Sequence, residues 1–146
     1  MSKNYLRAGL TGLSFAVVAA LTSPAVAENV TFKADLMASS EVPANNSKGT
    51  GSTTATYDPA SKKLDWTVTF SGLSGPATAA HFHGPAEAGK NAGPAVTIAG
   101  TASPMAGSAT LTDAQAADLM AGKWYVNVHT AANKDGEIRG QVLKSK

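Results

Sequence analysis

The chain alternates between apolar and polar residues over most of its length after residue 29. Val30, Phe32, Ala34 and Leu36 alternate with Thr31, Lys33 and Asp35, the period of two that marks a strand buried on one face. A Pro/Asn/Ser/Gly stretch from Pro43 to Gly51 reads as a loop. Thr53, Ala55 and Tyr57 then alternate with Ser52, Thr54 and Thr56, and Leu64, Trp66, Val68 and Phe70 alternate with Asp65, Thr67 and Thr69. Asp58-Pro59-Ala60-Ser61 lies between these runs, with proline presetting one turn angle, so the two runs form a hairpin.

Gly72 to Gly75 closes the second run. Thr78 to His83 reads as a strand, Gly84 to Pro94 as a Gly/Pro/Ala-rich loop, and Ala95–Ala99 and Ser108–Leu111 as short strands. One helix is expected from Thr112 to about Ala121. Thr112 and Gln115 form a capping box, Asp113 favours the positive end and Gly122 ends the helix. Trp124–Thr130 and Glu137–Leu143 are the closing strands, with a turn over Asn133-Lys134-Asp135-Gly136. Many short strands with one helical connector predict an all-β antiparallel sandwich or barrel.

The first 27 residues obey a different pattern. Lys3 and Arg7 precede an apolar run from Leu10 to Leu21, then Ser23-Pro24 and Ala25-Val26-Ala27. This predicts a secretory signal over residues 1–27, cleaved after Ala27, and one mature domain over residues 28–146. The apolar run is too short for the roughly 20 residues of a membrane span. The expected location is therefore periplasmic or extracellular, with no membrane attachment after cleavage. Two of the twelve basic residues and none of the ten acidic ones precede the cut, so the mature chain has a formal net charge of zero. With no basic stripe interleaved with aromatics, nucleic-acid binding is not expected. The chain has no cysteine, which excludes disulfides, a lipid-bearing cysteine, and thiolate-dependent copper or iron–sulfur sites.

Four segments carry a family likeness: Glu41-Val42-Pro43; Ser71-Gly72-Leu73 with Ala80-His81-Phe82-His83-Gly84-Pro85-Ala86; Leu111-Thr112-Asp113 leading to Ala121-Gly122-Lys123-Trp124-Tyr125-Val126-Asn127-Val128-His129-Thr130; and Gly136-Glu137-Ile138-Arg139-Gly140-Gln141-Val142. In order and spacing the chain resembles the CHRD (chordin-type) domain family from about Val30 to Val142. The resemblance implies an immunoglobulin-like or related β-sandwich, and in bacteria a domain standing alone behind a signal peptide. It implies no particular activity, because a fold does not fix a function.

The chain's three histidines, His81, His83 and His129, all fall within these segments. Strand residues two apart share a face, so His81 and His83 point together and Phe82 points to the core. With Trp124, Val126 and Val128 inward, Tyr125, Asn127 and His129 face outward, as do Glu137, Arg139 and Gln141 of the last strand. A His-x-His pair joined by a third histidine suits copper or zinc, completed by water, Glu137, Glu41 or Met105. The pair is similar to the copper corner of Cu,Zn superoxide dismutases, but three histidines are too few for that two-metal site.

The alternative is structural: surface histidines, or histidines that hold the Gly84–Pro94 loop in place. Glu137 and Arg139 read as a solvated pair, and Trp66 and Trp124 as core, with a carbohydrate-stacking platform as the other reading of the tryptophans. No Gly-x-Ser-x-Gly elbow is present, the acids are scattered, and the glycine-rich loop lacks a phosphate loop's lysine and helix. The expectation is a non-catalytic module for a protein, glycan or other ligand. The alternatives are a copper or zinc protein acting as carrier, buffer or minor redox centre, and a hydrolase or oxidoreductase using an open metal position.

Overall fold

A computed structural model describes residues 27–145, so the predicted signal lies, but for its last residue, outside the described part. The described chain is an antiparallel β structure: β1 (Val30–Met37), β2 (Thr50–Asp58), β3 (Lys63–Ser71), β4 (Ala77–His83), β5 (Pro94–Ile98), β6 (Met105–Thr110), β7 (Trp124–Thr130) and β8 (Ile138–Lys144), with α1 (Asp113–Met120) between β6 and β7. The strands form one sheet in the order β5-β4-β7-β8-β1-β2-β3-β6. Its two ends, β5 and β6, come into contact, so the sheet rolls into a nearly closed barrel-like sandwich, as the alternation predicted. Among the described residues no helix is long and apolar enough to cross a membrane.

Local chemistry explains the elements. In β1 and β3, Phe32, Leu36, Leu64 and Val68 are buried between exposed Lys33, Asp35, Asp65 and Thr67, and burying each large apolar side chain is worth about 1.5–3 kcal/mol. β2 pairs with β3 along its whole length and with β1 from Thr50 to Tyr57. The β2–β3 turn is fixed by Asp58, whose carboxylate accepts from Ala60 N at 2.9 Å and from Ser61 Oγ at 2.6 Å. Trp66 meets Phe82 edge-on at 5.2 Å between centroids, and Phe82 meets Trp124 at 5.7 Å. Both tryptophans are therefore core, not a carbohydrate platform.

The capping box of α1 forms as expected: Gln115 N donates to Thr112 Oγ1 and Thr112 N donates to Gln115 Oε1. Gly122 (φ +72) follows the helix in the left-handed region. Ala116 and Leu119 turn into the core. Three details differ from the sequence reading. β6 starts three residues early, at Met105; β2 reaches back to Thr50; and a 3-10 turn spans Ala38–Ser40.

A larger difference concerns β7 and β8. Trp124 to Val128 are all buried, as are Ile138, Arg139 and Gly140. Alternation predicts a solvated outer face, but here that face is roofed. Asn91 Nδ2 donates to Val42 O, tying the β4–β5 loop to the segment after the 3-10 turn. Asn45 Nδ2 donates to Glu137 O, tying the same segment to the start of β8. Under this roof lies a buried polar layer.

Candidate functional site

The three histidines come together on the roofed face. β4 and β7 pair antiparallel with His81 opposite Asn127, His83 opposite Tyr125 and Ala79 opposite His129. Each histidine offers a ring nitrogen, and these three atoms lie within 4.8 Å of one another. His81 Nδ1 and His129 Nε2 are 3.2 Å apart. A tetrahedral ion with bonds of about 2.0–2.1 Å places its nitrogens about 3.3 Å apart. The His81–His129 pair already has that spacing, and the His83 nitrogen lies within 4.8 Å of both.

The second nitrogen of two rings is fixed by the backbone. His83 Nδ1 lies 2.9 Å from Ala92 O, and His129 Nδ1 lies 2.7 Å from Lys134 O. A carbonyl accepts, so both Nδ1 atoms carry the proton and both Nε2 atoms present a lone pair. This is the orientation that outer hydrogen bonds give to metal-binding imidazoles. The same bonds pin two loops, so the loop-holding role read for histidine is present for His83, and it leaves Nε2 free. His83 is 9 % exposed, and its Nε2 is buried with no hydrogen-bond partner.

Electrostatics keep the rings in their ligating form. Burial, then the neighbouring His129 and His83, lowers the His81 pKa. Burial likewise lowers that of His83, against the raising effect of its bond to Ala92. Both rings are therefore neutral at pH 7.

The surroundings are rigid. His83 stacks on Tyr125 at 4.8 Å with planes 3° apart, and the Arg139 guanidinium sits 3.4 Å over the other face of Tyr125. The Tyr125 hydroxyl bonds both Ala92 N and Ala92 O at 3.2 Å, so it holds the carbonyl that orients His83. Arg139 donates to Asn91 Oδ1 and to Lys90 O. A stack of cation, phenol and imidazole thus anchors the loop that roofs the site.

The carboxylates depart from expectation. Glu137 is fully buried rather than solvated, and it is not brought to the histidines. Its Oε1 accepts from Ser47 Oγ (2.5 Å) and Ser74 N (2.7 Å); its Oε2 accepts from Ser74 Oγ (2.7 Å), Thr130 Oγ1 (2.5 Å) and Asn133 Nδ2 (3.2 Å). Burial opposes its charge, but these donors outweigh burial and hold its pKa at about 2. Neither side of the expected Glu137–Arg139 pair is exposed, and the two bond to different groups. The alternation placed their backbone correctly; the loops folded over both were outside its reach.

Met105 packs in the core cluster. Glu41 does lie in the polar layer, 6 % exposed, and burial raises its pKa to about 7 against the lowering effect of Arg139. Its carboxylate lies against Gly136 (φ +131), where a side chain would strike both Glu41 and Asn127.

Neither a curated protein nor a solved structure matches this chain. The CHRD domain model matches residues 32–142, from the start of β1 through most of β8, and so takes in all three histidines and the strands that position them. The chain is therefore a member of the CHRD domain family.

Proposed function

We propose that this CHRD domain is an exported, non-catalytic binding module whose ligand is a divalent transition-metal ion, copper or zinc, held by His81, His83 and His129. The observation that carries the reading is the convergence of three imidazole nitrogens within 4.8 Å, two of the rings oriented by backbone carbonyls. Nitrogen-only donors of this kind favour copper and zinc over magnesium or calcium, which prefer oxygen. With Nδ1 of His83 and of His129 each committed to a backbone carbonyl, the Nε2 atoms are the nitrogens these two rings turn toward an ion. Export is read from the basic, apolar and small-residue regions of residues 1–27, which support a periplasmic or extracellular location.

The test is calorimetric titration of the mature domain with Cu(II) and Zn(II), beside a His81→Ala/His83→Ala/His129→Ala variant. One ion per chain is expected with a Kd below about 1 μM, a binding free energy beyond about 8 kcal/mol, and the variant loses it. Weak binding, or binding unchanged in the variant, assigns the histidines to loop anchoring alone, and the ligand is then to be sought among proteins and glycans at the loops.

A further inference from the structure

Asn127 stands in the middle of the histidines. It is directly opposite His81, two residues along β7 from His129, and diagonal to His83, and it is 2 % exposed. Its amide orientation is set by Nδ2, which donates to Asp135 O at 3.2 Å; turning the amide over would set oxygen against oxygen. Oδ1 therefore points away from that loop, buried and without a donor. His83 Nε2, its lone pair fixed by the bond at Nδ1, is buried without a donor too. The register sets the Asn127 side chain diagonally beside that ring on the same face of the sheet.

Two buried acceptors side by side are costly to leave unmet, about 1–3 kcal/mol each. A metal ion at the histidines answers both lone pairs at once. Glu41 lies behind, its carboxyl group against the Asn127 amide with Oε1 also lacking a donor. From this geometry we infer that Asn127 Oδ1 is the fourth ligand of the metal site, closing a three-nitrogen, one-oxygen sphere in place of Glu137. The inference rests on the metal reading above.

The first experiment uses the unaltered mature domain loaded with Co(II). Its visible spectrum reports coordination number, and the side-chain amide protons of Asn127 are expected to show large hyperfine shifts by NMR. The second compares Zn(II) affinity and Cu(II) paramagnetic resonance spectra of the wild type with Asn127→Ala and Asn127→Asp. Asn127→Ala is expected to bind about 10–100-fold more weakly with an altered copper spectrum, whereas Asn127→Asp, which keeps an oxygen there, binds at least as tightly as wild type. Unshifted Asn127 amide protons, or an Asn127→Ala variant with wild-type affinity and spectrum, overturn the assignment while leaving the three-histidine site standing. A wild-type domain that binds no metal overturns both. If Asn127→Ala does not fold, the cobalt spectrum of the wild type decides.

Discussion

Glu137→Ala is expected to cost about 3–5 kcal/mol of stability, a large part of the 5–15 kcal/mol that typically separates folded from unfolded states. The side chain does more than fill space. Its two oxygens gather donors from Ser47 ahead of β2, Ser74 between β3 and β4, and Thr130 and Asn133 at the β7–β8 turn, so one carboxylate ties three connections to the start of β8. Truncation leaves those donors facing a cavity, and each unmet donor costs about 1–3 kcal/mol. Urea unfolding at pH 7 measures the loss; a change under about 1 kcal/mol would show that these bonds have cheap substitutes.

The pH dependence has a definite sign. The folded pKa of Glu137, about 2, lies below its ordinary value of 4.5. A depressed carboxyl contributes fully above the ordinary value and loses that contribution as pH falls through the folded one. Wild-type stability should therefore decline between about pH 4.5 and 2, and Glu137→Gln, weaker at neutral pH, should lack that part of the decline. Curves for the two proteins that stay parallel down to pH 2 would contradict the assignment.

The second large effect is stabilisation by metal. An ion that binds the folded domain alone stabilises it by about 2.7 kcal/mol at 100 times its Kd, which in a domain of this size raises Tm by roughly 10 °C. The gain should vanish with a chelator, and should be absent in the triple histidine variant whatever that variant's own Tm. Zn(II) is the cleaner probe, since it brings no redox chemistry. A Tm unmoved by saturating Zn(II) would contradict the proposal, as would an equal rise in the variant.

Much of this architecture is legible in the sequence because burial on one face writes itself as alternation. Phe32, Leu36, Leu64, Trp66 and Val68 lie where their period placed them, and the Thr112–Gln115 capping box starts the helix. The shared face of His81, His83 and His129 follows from the same period, given that β4 and β7 are neighbours. What covers a face has no such periodicity. The loops over β7 and β8 bury Arg139, Asn127 and Glu137, each of which sequence alone reads as polar surface. Asn127 was visible on the histidine face; that its oxygen lacks a donor depends on Asp135 O, which is a matter of loop conformation. Glu137 carried no local signal: of its donors only Thr130 and Asn133 are near it along the chain, and Ser47 and Ser74 are far away.

The central claim, that three imidazoles converge on one ion, is tested most directly by X-ray absorption at the zinc edge of the zinc-loaded mature domain. The proposal predicts three imidazole nitrogens at about 2.0–2.1 Å, recognisable by multiple scattering from the rings, and one oxygen. A shell of oxygens with one imidazole or none would contradict it, and would leave His81, His83 and His129 as anchors for the loops above them.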